Sequence, residues 1–236
     1  MLDILKTVTM SPAQYEMVIE GMRNSYDSWD KSDSHKTTVL DENTLAEADF
    51  EFFIGENDLT LMSNLASSGG PHSKYRRMMP VWVTINAPLY WWKEFDTYRA
   101  GVAPNPLDIE ENSCSTMHRI TAKEFEVSDF SSEHLFDGDT VCPDNDIFSL
   151  GALKAVIHSL NKARDNYLKT KDKRYWYAII QTLPSSYNQR RTIMLNYEAL
   201  AAIYRYRKDH KLDEWHTLCD WIKSLPYSEL IIGKED

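Results

Sequence analysis

The sequence predicts an α+β fold, with a small mixed or antiparallel sheet, long helices and a helical C-terminal half. Residues 79–88 (MPVWVTINAP) alternate between apolar and polar side chains, which is typical of a half-buried strand. Residues 150–169 carry apolar side chains at helical spacing, and similar patterns follow as far as residue 224. No internal repeat or low-complexity tract divides the chain, so we expect a single domain over residues 1–236.

The N-terminal part of the chain combines short regular segments with a long polar one. Residues 2–9 alternate loosely and predict a short strand. Ser11 followed by Pro12 is typical of a helix start, and this helix should reach about Met22. The polar and acidic residues 24–44 are predicted to form a loop.

Two helices should flank the predicted strand. A helix at about 58–68 should end at Gly69-Gly70-Pro71, because glycine tolerates the turn that ends a helix and proline cannot continue it. Pro88 should open a second helix over residues 89–99. Residues 100–114 contain two prolines and several acids, and they are predicted to form a loop.

The C-terminal half is predicted to be helical. Residues 150–169, 174–182 and 213–224 each fit one helix. A long helix is also predicted at about 188–208, after the Leu-Pro pair at residues 183–184.

Composition limits the classes of function that the chain can have. The formal net charge is −10, and a phosphate backbone favours a basic partner, so we expect no general nucleic-acid binding. No apolar run of about 18 residues suggests a membrane span, and the first ten residues do not resemble a secretory signal. The three cysteines, Cys114, Cys142 and Cys219, lack metal-ligand spacing. We therefore expect a cytoplasmic protein with reduced thiols, no metal site and Cys114 as a packed thiol.

The predicted helix at 188–208 places two polar residues on one face. Asn196 and Arg207 are eleven residues apart, about three helical turns, with Leu200 and Ile203 between them on the same side. Such a polar pair beside an apolar stripe can line a pocket. The alternative is a solvated helix whose final cations favour the negative end of the helix dipole.

Two short segments could bind a phosphate, or could be ordinary turns. Residues 112–119 (NSCSTMHR) combine hydroxyl groups, such as that of Ser115, with Arg119. Residues 69–79 (GGPHSKYRRMM) form a turn followed by a basic cluster, and its members are Lys74, Arg76 and Arg77. A capping segment and a surface turn are the respective alternatives.

The order of these pieces resembles the flavin-dependent (alternative) thymidylate synthase family, also known as thymidylate synthase complementing proteins. That family has a turn with a His, a strand ending in Ala-Pro, and a helix carrying an RHR triplet that begins the signature RHRxxSxNExSxR. A Leu-Pro pair, a helix with an Asn and a final Arg follow. The matching residues here are His72, Ala87-Pro88, residues 89–99, Asn112 to Ser115, Leu183-Pro184, Asn196, Arg207 and Asp213 to Trp215.

The resemblance implies an enzyme that methylates dUMP at C5 to give dTMP. It implies FAD as the cofactor, methylenetetrahydrofolate and NADPH as co-substrates, and a homotetramer. Arg207 would be the catalytic residue that activates the pyrimidine. The implied substrate-binding residues are Ser115, Arg119, Glu94 and Asn112. The implied FAD-binding residues are His72, Arg99, Asn196 and Arg77.

The sequence also departs from the family pattern. Thr97 and Tyr98 occupy the first two positions of the RHR triplet, and residues 104–111 interrupt the signature. These departures leave two alternatives open. One is a non-catalytic homologue that binds a nucleotide, and the other is an enzyme that modifies C5 of a different pyrimidine nucleotide.

Overall fold

The structure, a computed structural model, describes residues 1–40, 47–98, 109–115, 117–136 and 149–233. It confirms the α+β fold and the helical C-terminal half. Arg99, which the resemblance assigns to FAD, lies outside the described residues.

Six strands belong to two sheets among the described residues: β1 (Asp3–Val8), β2 (His35–Leu40), β3 (Glu47–Phe53), β4 (Pro80–Pro88), β5 (Glu110–Ser113) and β6 (Asn188–Asn196). The larger sheet has the order β1-β4-β6-β5. The smaller sheet is the antiparallel pair of β2 and β3, in which His35 lies opposite Phe53.

The described α-helices are α1 (Pro12–Arg23), α2 (Glu56–Ser68), α3 (Leu89–Phe95), α4 (Ser149–Thr170), α5 (Lys173–Thr182), α6 (Tyr197–Arg207), α7 (Asp213–Lys223) and α8 (Glu229–Ile232). A 3₁₀ helix at His72–Met78 precedes β4. The predicted strands at 2–9 and 79–88 are therefore confirmed, as are the predicted helices that correspond to α1, α2, α4, α5 and α7.

Local chemistry explains the confirmed helix ends. Ser11 caps α1, and its backbone N–H donates to the side-chain oxygen of Gln14 at 2.8 Å. At the end of α2, Gly69 and Gly70 have φ angles of +62° and +55°, which only glycine adopts without strain. The predicted helix after Pro88 is shorter than expected, since the α-helix ends at Phe95 and a short 3₁₀ turn follows.

Three loop or helix predictions are wrong. The predicted loop at 24–44 contains β2, and the predicted loop at 100–114 contains β5. Residues 188–196 form β6 instead of the first half of a long helix. In β6, the side chains of Gln189, Arg191, Ile193 and Leu195 are buried, while those of Asn188, Arg190, Thr192 and Met194 are more exposed. Pairing in the sheet decides this conformation, because Gln and Arg are good helix formers in isolation.

The chain divides into two compact units. Unit 1 consists of Met1–Asp3, Ile85–Thr97 and Asn112–Arg191, and unit 2 consists of Ile4–Thr84, Tyr98–Glu111 and Thr192–Asp236. A cluster of apolar side chains from α4, α5 and the preceding loop forms a core in unit 1, and its most buried members are Leu160 and Ile179. The expectation of a single domain over residues 1–236 stays a prediction.

Unit 2 contains a buried ion pair between α1 and α2. The Nε of Arg23 donates to Oδ1 of Asp58 at 2.5 Å, and the two side chains are only 4% and 0% exposed. Arg23 also donates to the carbonyl oxygens of Ser28 and Lys31. The Oδ2 of Asp58 accepts from the hydroxyl groups of Ser32 and Ser34 at 2.6 and 2.7 Å. This network fixes the connection between α1 and β2.

We expect Asp58→Asn to lower the free energy of unfolding by about 3 kcal/mol, because the buried Arg23 guanidinium would lose its counter-charge. Urea unfolding of the purified variant measures the change. Asp30→Asn is the matched control, since Asp30 is exposed in the same connection and should change stability by less than about 0.5 kcal/mol. Equal stability of Asp58→Asn and the wild type would contradict the role of the pair.

Asp58 should also make stability depend on pH. Burial raises the pKa of the Asp58 carboxyl, but hydrogen bonds from Ser32, Ser34 and Arg23 outweigh burial and hold it below its ordinary value. A depressed pKa stabilises the fold above the unfolded-state value of about 3.9, and this contribution disappears as the pH falls through the folded-state pKa.

The difference in unfolding free energy between wild type and Asp58→Asn should therefore be constant from about pH 6 to 8 and shrink below about pH 4. Urea unfolding at a series of pH values tests this. A difference that stays the same down to pH 3 would refute the assignment.

Candidate functional site

Arg207 lies at the C-terminal end of α6, in unit 2. Its Nε donates to the hydroxyl oxygen of Tyr98 at 2.7 Å. Its guanidinium carbon lies 4.4 Å from the ring centroid of Trp215 and 5.4 Å from that of Tyr98. Trp215 is completely buried on α7, so it gives the guanidinium a fixed aromatic surface. Two ring contacts and a hydrogen bond therefore hold the orientation of a half-buried cation.

This arrangement suits electrostatic catalysis. A guanidinium remains protonated at any physiological pH and carries several donors in one plane. Because Arg207 is already held by Tyr98 and Trp215, little side-chain reorganisation is needed when negative charge develops nearby. The site can therefore stabilise an oxyanion without a covalent nucleophile.

Asn196 does not have the role that the predicted long helix gave it. It ends β6 and is the N-cap of α6, where its Oδ1 accepts from the backbone N–H of Ala199 at 2.9 Å. Its side chain is buried. The predicted shared face of Asn196 and Arg207 in mid-helix is thus wrong, although both residues do bound α6. No finding tests a contact of Asn196 with FAD, and that contact stays a prediction.

Ser115 belongs to a tight turn in unit 1. Its Oγ accepts from the backbone N–H groups of Met117 and His118, at 3.3 and 3.0 Å, and lies 3.0 Å from Nδ1 of His118. Cys114 begins this turn and is exposed, so the prediction of a packed thiol is wrong.

The predicted substrate-binding residues all lie in unit 1. Glu94 is half-buried on α3, whereas Asn112 on β5, Ser115 and Arg119 are exposed. Asn112 and Ser115 thus lie on one continuous segment that leads to Arg119. The predicted catalytic residue and the described predicted FAD-binding residues all lie in unit 2, where His72 and Arg77 are exposed on the 3₁₀ helix.

Unit 2 also contains a cavity of about 880 Å³, between α2, α6 and α8. The turn after α2 contributes Gly69 and Gly70 to its lining, the 3₁₀ helix contributes Arg76, and the end of α6 contributes Arg205 and Lys208. Its volume falls within the range of about 300–1,000 Å³ that is typical of ligand pockets. None of the predicted site residues belongs to its lining, but the predicted basic cluster contributes Arg76.

Arg76 forms an ion pair with Glu198. Its Nε donates to Glu198 at 2.7 Å, its Nη2 lies 2.6 Å from the same carboxylate oxygen, and its Nη1 donates to the carbonyl of Leu230 at 3.0 Å. The pair connects the 3₁₀ helix His72–Met78 with α6 and α8. Arg76 therefore shapes this cavity, while Arg205 and Lys208 contribute further positive charge to its lining.

Sequence reasoning missed the partners of Arg207 and Arg191. Tyr98 entered only as a departure from the RHR triplet, yet it holds Arg207. Arg191 was placed on a helix, yet it is buried on β6 beside Trp92. A period-two interpretation of residues 188–196 would have placed Arg191 on the buried face of a strand and revealed the need for a partner.

Two buried groups with shifted pKa values stay protonated near neutral pH. Burial raises the pKa of the Cys219 thiol to about 11. Burial also raises the pKa of the Tyr15 phenol to about 12, helped by the nearby Tyr227. Neither group is an activated nucleophile in this state.

Comparison with solved structures identifies the fold. The chain is similar to thymidylate synthase X (ThyX) from Helicobacter pylori with FAD and dUMP, at 12% identity and a TM-score of 0.60, over 98% of this chain and 96% of that one. A second structure of ThyX from Helicobacter pylori, complexed with FAD and dUMP, gives 13% identity and a TM-score of 0.58, over 98% and 97% of the two chains.

A third similar structure is the UMP/dUMP methylase PolB from Streptomyces cacaoi bound with 5-Br dUMP. It has 13% identity and a TM-score of 0.52, over 97% of this chain and 92% of that chain. No protein-family model and no curated protein sequence matches this chain. The resemblance to flavin-dependent thymidylate synthases is thus confirmed at the level of the fold.

None of the described helices has both the length and the apolar character that crossing a membrane requires.

The two described cysteines should differ strongly in reactivity. Cys114 is exposed, whereas Cys219 is buried with a raised pKa, so alkylation of Cys219 in the folded protein should be slower by on the order of 100-fold. Treatment with iodoacetamide at pH 8, followed by peptide mass spectrometry, measures each rate separately. Unfolding in urea should remove the difference. Equal rates in the folded protein would contradict the described burial.

Proposed function

We propose that this protein is a flavin-dependent methylase that acts at C5 of a pyrimidine nucleotide such as dUMP. The observation that carries the proposal is the orientation of Arg207 by Tyr98 and Trp215, at the position that the resemblance assigns to activation of the pyrimidine. The shared fold over nearly the whole chain supports the correspondence of positions. The UMP/dUMP methylase among the similar structures makes UMP a second candidate substrate.

The residues of unit 2 fit a flavin cofactor. The cavity between α2, α6 and α8 is large enough for a sizeable ligand, and Arg76, Arg205 and Lys208 in its lining favour a ligand with phosphates. We propose that FAD binds in unit 2, with His72, Arg77, Asn196 and Arg99 as further contacts. Bound FAD would, in its reduced form, supply the electrons that convert the transferred carbon into a methyl group.

The chain's own residues would bind and polarise the nucleotide. The turn at Ser115, with Asn112, Arg119 and Glu94, would bind the phosphate and sugar, because hydroxyl and guanidinium groups are donors to phosphate oxygens. Arg207 would stabilise the negative charge that develops on the pyrimidine when C5 acts as a nucleophile. Methylenetetrahydrofolate as carbon donor, NADPH as reductant and a homotetrameric assembly belong to the proposal through the resemblance.

A non-catalytic nucleotide-binding protein is the second candidate. It is favoured by Thr97 and Tyr98, which replace the first two residues of the RHR triplet. In this case, Tyr98 would hold Arg207 as a binding residue only. The two candidates differ in whether a methylated product is formed.

The test has three steps. The absorption spectrum of the purified protein, before and after addition of FAD, should have the bands of a bound flavin. The holoprotein should then bind dUMP or UMP in calorimetry and, with methylenetetrahydrofolate and NADPH, give a product heavier by one methylene unit in mass spectrometry. Nucleotide binding without product would favour the second candidate, and a protein that binds neither flavin nor nucleotide would exclude both.

We expect Arg207→Gln to reduce turnover by about 10²–10³-fold, because transition-state charge would lose its stabilising cation. Lys211→Gln removes one positive charge from an exposed residue shortly after α6, and it should reduce turnover far less. Steady-state kinetics of both variants, with circular dichroism to confirm folding, provides the measurement. Wild-type turnover in a folded Arg207→Gln variant would rule out the assigned role.

A further inference from the structure

Strand β6 carries a buried cation in unit 1. Arg191 is 8% exposed, at an inward position of the alternating pattern where an apolar side chain would be expected. Its neighbour Arg190 points to the opposite side and is exposed. Burial of a guanidinium is costly without good partners, so the partners of Arg191 indicate its role.

Three described groups hold the Arg191 side chain. Its Nη1 donates to Oδ1 of Asp96 at 2.8 Å, and its Nε donates to Oε1 of Gln189 at 2.9 Å. Its guanidinium carbon lies 4.4 Å from the ring centroid of Trp92, which is completely buried. One face and two nitrogens of the guanidinium are therefore held in place.

These contacts extend to the turn that contains Ser115. A guanidinium only donates, so Gln189 must direct its oxygen towards Arg191 and its amide nitrogen elsewhere. That nitrogen, Nε2, donates to the carbonyl oxygen of Cys114 at 2.7 Å. The N–H of Cys114 donates to the carbonyl of Arg190 at 2.9 Å, so both polar backbone groups of Cys114 are held by β6.

The chain Asp96–Arg191–Gln189–Cys114 thus joins the residue after α3 to the residue before Ser115. We infer that Arg191 is a positioning residue that fixes the turn at Ser115 for binding of the nucleotide phosphate. This inference rests on the proposed function. A buried ion pair contributes little stability compared with a packed apolar pair, so a defined position of the turn is the property that it provides.

The variant Arg191→Met removes the guanidinium and keeps an unbranched side chain of similar reach. Arg190→Met is the matched control, because it removes the same charge from the exposed side of the same strand. Gln189→Leu interrupts the connection to Cys114 while leaving Arg191 and Asp96 paired, and it tests the inference independently if Arg191→Met does not fold.

Calorimetric titration with dUMP and UMP, and alkylation of Cys114 with and without nucleotide, are the two measurements. We expect Arg191→Met and Gln189→Leu to raise the Kd for the nucleotide about 10-fold and to raise KM, with kcat within about twofold of wild type. Bound nucleotide should slow the alkylation of Cys114 in the wild type, and this protection should be lost in both variants. Arg190→Met should behave like wild type. A purely structural role of Arg191 would instead lower thermal stability and kcat together.

The outcomes separate this inference from the function on which it rests. A wild-type holoprotein that binds neither nucleotide overturns both. Nucleotide binding by wild type, with an unchanged Kd in folded Arg191→Met and Gln189→Leu, overturns the positioning role alone. Equal weakening in Arg190→Met would attribute the effect to net charge and would likewise overturn it.

Discussion

The buried ion pair of Arg23 and Asp58 is the interaction on which the N-terminal part of unit 2 depends. Both side chains are almost completely buried, so each charge requires the other, and the remaining polar atoms must find donors or acceptors in the chain between α1 and α2. Hydroxyl groups of Ser32 and Ser34 and carbonyl groups of the same connection meet this requirement. These contacts hold the polar residues between α1 and β2 in one conformation.

Two other buried arginines, Arg76 and Arg191, and the half-buried Arg207 also depend on defined partners, with different consequences. Arg76 meets Glu198 and shapes the cavity of unit 2, whereas Arg191 meets Asp96 and, through Gln189, holds the backbone of Cys114. Arg207 has aromatic faces beside it as well as a phenol oxygen. A carboxylate or amide oxygen fixes the donors of a guanidinium, whereas an aromatic ring fixes its face. Arg207 and Arg191 are both held in a defined orientation by such contacts, and this is the physical basis for the roles proposed for them.

The predictions from sequence succeeded where the spacing of apolar residues fits only a strand or only a helix. The alternation in β4 and the long apolar stripe of α4 each fit a single kind of element, and both are confirmed. They failed at β6, where Arg190 and Arg191 are compatible with a helix and the neighbouring strands impose the extended conformation. They also failed at β2, because His35 and the polar residues after it have no apolar alternation that would indicate a strand.

The residue order around Ala87-Pro88, Leu183-Pro184 and Arg207 was enough to indicate the fold, because turn chemistry and helix starts are local properties of the chain. The residues implied for the nucleotide and FAD came from the same order, and their roles are proposals. The partners of Arg207 and Arg191 could not be found in this way. Tyr98 is 109 positions from Arg207, and Asp96 is 95 positions from Arg191. Contacts at such separation depend on how strands and helices pack, so only the three-dimensional structure determines which side chains hold each arginine.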